Sequence, residues 1–396
     1  LKALLTQQHN LFEGFSIRYF GPVDGHDVNY MIKLLNDIKD LQGPKLLHIK
    51  TTKGKGFKPA EESATEWHAP GKFNKETGQR IIVHNLNEPQ LYQDVFGHTL
   101  VELAEQDERI VGITPAMPTG SSMIHMMKAF PKRAFDVGIA EGHSVTFSAG
   151  LAKEGMIPFC NVYSSFMQRA YDNLIHDVAL QKLHMVICLD RAGLVGEDGA
   201  THHGMFDLAY MRMIPHMRML APSNEAELVH ALHTALALGG PFAIRYPRGA
   251  AEGVALPDEP QVLEEGKARV VREGDDVAIL AFGRMVPRAE AAAELLSENG
   301  IEARVVDMRW VKPLDVDEIA RAAQTKLVVT VEGGIISGGV GEGVLNELAR
   351  QGAAVPALTL GIPDTFVPQG SSNQLLHDLG LDAEGIADAV EQRLAR

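Results

Sequence analysis

Cysteine is scarce in this chain: two among 396 residues, with no CxxC spacing. Cys160 and Cys188 both sit in apolar, strand-like runs. They read as buried thiols in a reducing compartment, not as a disulfide or a zinc knuckle. Basic charge is also short, with 37 Lys and Arg against 51 Asp and Glu, a net charge of −14. No basic stripe is available to release counterions from a phosphate backbone, which excludes nucleic acid as the main partner. No uninterrupted apolar run approaches membrane-spanning length, so a membrane is not an expected partner and a cytoplasmic location is expected. The chain further lacks an HExxH zinc helix, a GxSxG elbow and a Walker loop. The cluster Gly333–Gly343 departs from GxGxxG because Val344 holds the last position, and it is read as a turn that starts a helix. Leu1 stands first, in what reads as mid-domain sequence, so the chain is expected to be a fragment.

At 45% hydrophobic and 22% charged residues the composition is that of a folded chain. Its length has room for two or three α/β domains. Strand-like and helical periods alternate throughout. Strand Ser16–Phe20, turn Gly21–Gly25, helix Asp27–Leu41 and strand Lys45–Lys50 open the chain. A polar loop follows through Lys53 and Phe57 to His68, long enough to be functional. Helix Leu91–Glu105, strands Arg109–Ile113 and Pro158–Val162, helix Ser165–Gln181, strand Met185–Asp190, helix Glu225–Leu238 and strand Phe242–Tyr246 form a second block. Leu256–Glu265 is a Pro- and acid-rich linker, and a third alternating block follows from Val277. Such alternation predicts parallel sheets doubly wound with helices. The expected domains are 1–87, 88–262 and 263–396.

Phe135–Gly150 carries the sharpest chemical signal. A short apolar strand runs into a small-residue helix, with Glu141 at the junction, where open α/β sheets place their ligands. The helix N-terminus favours its anion, whereas burial beside Ile139 and Val145 favours its neutral acid. Such a balance suits a group sharing a proton with a bound heterocycle; the plain alternative is a Glu capping its own turn. The loop Gly196–Gly204 packs Asp198, His202 and His203 between glycines. Adjacent histidines with one Asp lack metal-ligand spacing, so no metal ligand is assigned, and a proton-handling or orienting role competes with a plain surface loop. Glu197-Asp198-Gly199…Asn224 imitates a magnesium–diphosphate element, but its first glycine is missing and Asn224 reads as a helix N-cap. Arg191 closes one strand, Arg248 follows another and Arg169 sits on the helix that begins near Tyr163. Arginines at several strand ends would converge on one rim, as phosphate recognition requires, though any one alone reads as a surface ion pair.

Seven strings in order, "GPVDGHD", "KTTKGKGF", "ITPAM", "FDVGIAEGHSVTFSAGLA", "YSSFMQRAYDNLIHDVALQKL", "DRAGLVGEDGATHHGMFDLAYMR" and "RYPRG", resemble the thiamine-diphosphate-dependent transketolase superfamily over nearly the whole chain. The resemblance implies three α/β domains: the tail of a diphosphate-binding domain, a pyrimidine-binding domain and a C-terminal domain, usually dimerised as a homodimer. It implies thiamine diphosphate and Mg2+ as cofactors, the magnesium ligands being expected in a missing N-terminal part. Glu141 would bond the aminopyrimidine, Phe166 would stack on it, and Met117 and Ile139 would support it. Lys53 and Phe57 would approach the cofactor from the first domain. His68, Asp198 and His202 would move protons and orient substrate, and Tyr163, Arg169, Arg191 and Arg248 would hold the acceptor and its phosphate. The implied reaction joins pyruvate to D-glyceraldehyde 3-phosphate with loss of carbon dioxide. Alternatives are transfer of a two-carbon ketol unit, the β subunit of a 2-oxoacid dehydrogenase, or a non-catalytic assembly subunit. Gly142 and Phe57 depart from the family's frequent Gln and bulkier aromatic.

Overall fold

A computed structural model describes residues 11–63, 67–68, 70–81 and 89–396. The chain divides into two compact units, residues 1–86 and 87–396. The boundary expected between residues 87 and 88 lies outside the described residues.

In the first unit, β1 (Arg18–Asp24) and β2 (Lys45–Lys50) pair in parallel. The helix Val28–Ile38 connects them, and the Asp27 carboxylate caps it by accepting from the Tyr30 backbone N–H. The turn expected over Gly21–Gly25 is corrected: the strand runs on through Asp24. Its register with β2 shifts between Phe20 and Val23. That irregularity accommodates Pro22, which has no N–H to give to a regular ladder.

The second unit holds two sheets. In the first lie β3 (Ile110–Thr114), β4 (Ala134–Asp136), β5 (Ile157–Tyr163), β6 (Met185–Asp190), β7 (Arg218–Leu220) and β8 (Pro241–Arg245). The second comprises β9 (Arg269–Arg272), β10 (Val277–Ala281), β11 (Ala303–Asp307), β13 (Leu327–Ile335) and β14 (Ala357–Ile362). β12 (Trp310–Lys312) follows β11 in the chain yet joins the first sheet, antiparallel to β7. The orders are β12-β7-β8-β6-β5-β3-β4 and β14-β13-β10-β11-β9. Apart from the edge pairs β12–β7 and β9–β11, the strands run parallel. β5, β6 and β8 are buried along their whole length. They read as near-continuous apolar runs because helices cover both faces of such a sheet.

Two capping expectations hold. Asn224 accepts from the Glu227 backbone N–H and caps the helix Glu225–Leu238. The helix-start turn holds at Gly338 and Gly339, before the helix Val340–Arg350, where both oxygens of the buried Glu332 accept from the N–H groups of Val340 and Gly341. Gly333 and Gly334 belong instead to β13, and Gly341 and Gly343 to the helix itself. The single helix expected over Ser165–Gln181 is corrected. An α-turn over Ser164–Met167 gives way to a 3₁₀ turn at Gln168–Ala170, an α-turn at Tyr171–Asn173 and a π-turn over Leu174–Ala179. Each change of pitch re-aims the side chains that follow, and such π-turns recur at functional sites.

Trp310 is fully buried and meets Phe242 of β8 edge-on at 5.8 Å between ring centroids. One residue from the third expected domain thus completes the core of the second. Trp310→Ala is expected to lower the stability of the unit by about 3–5 kcal/mol, the usual cost of emptying a large aromatic site. Urea unfolding checks it; a loss below about 1 kcal/mol would show that the β12 contact is peripheral.

Candidate functional site

The parallel strands of the first sheet end on one rim, and the candidate residues of the second unit gather there. β4 stops at Asp136, four residues short of Glu141, so the direct strand-to-helix junction expected from sequence is corrected to a short turn. The Asp136 carboxylate holds that turn by accepting from the N–H groups of Ala116 and Gly138. Gly138 sits at φ +74, which swings the chain outward and leaves Ile139 83% exposed. Contrary to the sequence expectation, Ile139 therefore does not bury Glu141, although Val145 is fully buried.

Glu141 is the first residue of the helix Glu141–Lys153, and its side chain is only 5% exposed. Oε1 accepts a charge-assisted bond from Arg169 Nη1 at 2.5 Å. Among the described residues Oε2 has no hydrogen-bond partner. The Arg169 guanidinium also lies 4.8 Å over the Phe166 ring. Phe166 stacks on Tyr163 at 5.7 Å and takes the His202 ring at its edge at 5.3 Å. On the far side the Arg191 guanidinium covers Tyr163 at 4.3 Å. A Cβ placed on Gly120 would fall 2.2 Å from Tyr163 Oη and 2.8 Å from the Met117 methyl, so glycine lets Met117 and Tyr163 close over that turn. Glu141, Met117, Tyr163, Phe166, Arg169, Arg191 and His202 thus form one neighbourhood.

The loop after β6 folds back through paired backbone bonds between Gly193 and Gly204, both 2.8 Å. His203 is structural: its Nδ1 accepts from the Val195 N–H at 3.0 Å, and its Nε2 meets the Pro368 carbonyl at 3.2 Å. Burial lowers its pKa, as a neutral ring between those partners requires. His202 is half-buried, with Nδ1 2.8 Å from the Thr201 hydroxyl. Asp198 accepts from Arg248 Nη1 at 2.7 Å, and the same nitrogen donates to the Val195 carbonyl. The three arginines read from sequence are each already paired. Each holds its own carboxylate: Arg169 on Glu141, Arg191 on Asp190 and Arg248 on Asp198.

In the first unit, Lys53 Nζ bonds His68 Nδ1, which puts any proton of a neutral His68 on Nε2. Phe57 lies against Trp67 at 4.9 Å and Phe73 at 5.8 Å.

Two features of the rim escaped the sequence reading. Asp190 is fully buried at the end of β6, and burial pushes its pKa up to about 6 despite Arg191, whose Nη1 donates to it at 2.5 Å. Arg245 ends β8, and its Nε reaches both oxygens of the buried Asp207 at 2.9 Å. The strand-end signal that drew attention to Arg248 also marks Arg245, three residues earlier. Among the described residues, no three His, Cys, Asp or Glu side chains converge as metal ligands would.

Three family profiles match: 1-deoxy-D-xylulose-5-phosphate synthase over residues 1–51, transketolase pyrimidine binding domain over 88–253, and transketolase C-terminal domain over 266–386. A 1-deoxy-D-xylulose-5-phosphate synthase of Parabacteroides distasonis is 66% identical over 99% of the chain, and one of Phocaeicola vulgatus 56% over 98%. The chain spans 62% of the length of these curated relatives. Among solved structures, a split-gene transketolase described as an inactive β4 tetramer is 33% identical, with a TM-score of 0.70. The match covers 78% of this chain and 99% of that one. A Campylobacter jejuni transketolase shares the fold at 19% identity and a TM-score of 0.65, over 98% of this chain and 70% of that one.

Asp190 gives the rim a pH signature. Its folded pKa of about 6 lies above the ordinary 3.8, so the folded state holds its proton longer than the unfolded chain does. Its contribution to stability is complete below pH 3.8 and lost as pH rises to about 6, a change on the order of 3 kcal/mol. In Asp190→Asn that decline should vanish from urea midpoints measured across the window. Equal pH slopes in the two proteins would contradict the assignment.

Proposed function

This chain belongs to the transketolase family, in its 1-deoxy-D-xylulose-5-phosphate synthase branch, and on that premise we propose that it serves a thiamine-diphosphate-dependent transferase. The proposed reaction condenses pyruvate with D-glyceraldehyde 3-phosphate, with loss of carbon dioxide, to 1-deoxy-D-xylulose 5-phosphate. The observation that carries this reading is Glu141. It is a buried carboxylate at a sheet rim, with one oxygen spent on Arg169 and the other unspent, beside the aromatic wall of Phe166.

That donor set fits an aminopyrimidine. A carboxyl oxygen is free to share a proton with a ring nitrogen, a flat ring stands beside it, and apolar Met117 and exposed Ile139 border the turn that leads into Glu141. When bound, thiamine diphosphate supplies the carbon nucleophile and electron sink that a 2-oxo acid needs in order to lose carbon dioxide. Glu141 holds or releases the proton at Oε2. Phe166, held in place by its contacts with Tyr163 and the Arg169 guanidinium, would set the plane of a ring packed against it. Magnesium would accompany the diphosphate, but no residue of this chain is assigned to hold it.

The acceptor's phosphate is assigned to Arg248 and Arg191, with Tyr163 and Arg169 lining the approach. Arg248 is already poised by Asp198 and the Val195 carbonyl, so a phosphate would find it oriented. Asp198 and His202 bracket the same loop as candidates for proton transfer and orientation. Lys53, Phe57 and His68 keep the roles that the resemblance implies. The same reading makes the protein a cytoplasmic homodimer. Two buried free thiols, an acidic balance and exposed Leu180, Met213 and Phe366 support that reading. No helix of the described residues is long and apolar enough to cross a membrane. A second reading, an assembly subunit without turnover of its own, is favoured by the split-gene neighbour, which is described as inactive.

In a preparation that turns pyruvate over, Glu141→Gln should reduce turnover by roughly a hundred- to ten-thousand-fold while the fold survives, because an amide cannot exchange the proton. Near-normal turnover would sink the assignment. Arg248→Ala should lower the efficiency with D-glyceraldehyde 3-phosphate roughly ten- to hundredfold, the weight of one hydrogen bond to a charged group. Unphosphorylated glyceraldehyde is the control and should be used about equally by both proteins. Equal losses with both acceptors would mean that Arg248 supports the loop rather than the phosphate.

A further inference from the structure

Arg284 and Arg288 lie where the helix Val286–Glu298 begins, four residues apart, a spacing at which like charges face one another and repel. Both are partly buried. Burial lowers the pKa of each, that of Arg284 to about 10 with Arg288 adding to the effect. Glu252 acts on both charges from a distance, but among the described residues neither arginine makes an ion pair. Arg284 Nε is closed off from water and has no hydrogen-bond partner. Arg288 donates from Nη1 only to the Arg284 backbone carbonyl, at 2.7 Å.

The acids nearby are engaged or exposed. Glu225 accepts from the backbone N–H groups of Glu252, Gly253 and Val254. Asp382 accepts from Gly385 and holds His377. Glu252 is exposed and bonds neither guanidinium. Charge taken out of water without a partner costs several kcal/mol, so the fold is expected to supply one.

Beside Arg284 lies a small cavity between the two sheets, walled by Leu194, Met285, Leu376 and Leu381 and reached also by Arg245. Arg245 spends Nε on Asp207 and Nη2 on the Gly204 and Gly333 carbonyls, which leaves Nη1 without a bond among the described residues. The space open to a water-sized body is about 10 Å3, room for a single small occupant. A carboxylate or phosphate is too large for it. A water would need acceptors as well as donors, and the unspent groups here are guanidinium N–H donors.

We propose that this cavity is a binding site for one halide-sized anion, chloride in ordinary media, held between Arg284 and Arg245 and fastening the two sheets together. The ion neutralises Arg284, eases its repulsion with Arg288 and leaves the Arg245–Asp207 pair intact. Because it touches residues of both sheets, it stabilises the folded unit in proportion to its occupancy.

Thermal unfolding in sodium chloride and in sodium gluconate, at equal ionic strength, tests the site. The wild-type protein should melt several degrees higher in chloride, and Arg284→Met should lose that difference. Crystals soaked in bromide should show one anomalous peak beside Arg284 Nε, a readout that stands even if the variant folds poorly. Glu252→Gln should keep the chloride effect. A wild-type protein indifferent to chloride, with no bromide peak, would overturn the proposal. So would a chloride effect that appears only in Glu252→Gln, since Glu252 would then be the natural counterion.

Discussion

The buried pair of Arg245 and Asp207 fixes the second unit around its site. Both side chains are almost wholly out of water, 4% and 0% exposed, so neither could be left alone. Removing one partner of such a pair strands the other, which typically costs about 3–5 kcal/mol. Geometry gives the pair its reach. Arg245 closes β8 of the first sheet, its Nε grips both oxygens of Asp207, and its Nη2 extends to Gly333 on β13 of the second sheet. A further bond reaches the Gly204 carbonyl, where the histidine loop returns. Sheet, loop and second sheet are tied by one guanidinium.

From that anchor the remaining charges of the rim follow a single rule. Three carboxylates of the rim are each held by an arginine. Asp190 takes Arg191, Glu141 takes Arg169 and Asp198 takes Arg248. The pairs differ in exposure, and exposure sets what each can do. Asp190 is sealed, and its raised pKa reports the cost of the seal. Arg169 and Arg248 are 56% and 36% exposed, so a ligand can reach them without unfolding anything. The proposed chemistry draws on the open pairs and on Arg191, the partly exposed partner of the sealed Asp190.

The architecture was legible in the alternation of apolar runs with helical periods, because a parallel strand buried on both faces has few polar residues to interrupt it. Met185–Asp190 and Glu225–Leu238 were placed to the residue on that signal. Asn224 was read as a cap from Pro222 and Ser223 before it and the acidic turn after it. What could not be read were features set by tertiary contact. Trp310–Lys312 is three residues long and borrows its strand character from β7. The mixed-pitch segment after Ser164 carries no glycine or proline to announce its breaks. The site residues were legible as residues, through family strings, but their partners were not. Arginines that read as a phosphate cradle each hold a separate carboxylate, a pairing that no spacing in the sequence announces. Ile139, expected to bury Glu141, is carried outward by the left-handed Gly138.

The central claim is that this rim serves carbon–carbon bond formation from a 2-oxo acid rather than ketol transfer between sugars. The most direct measurement supplies thiamine diphosphate, magnesium, carboxyl-labelled pyruvate and D-glyceraldehyde 3-phosphate, and follows labelled carbon dioxide with the sugar phosphate product. The account predicts carbon dioxide and a five-carbon 1-deoxyketose phosphate in equal amounts. Absence of both, together with two-carbon transfer from a ketose phosphate donor in the same preparation, would contradict it.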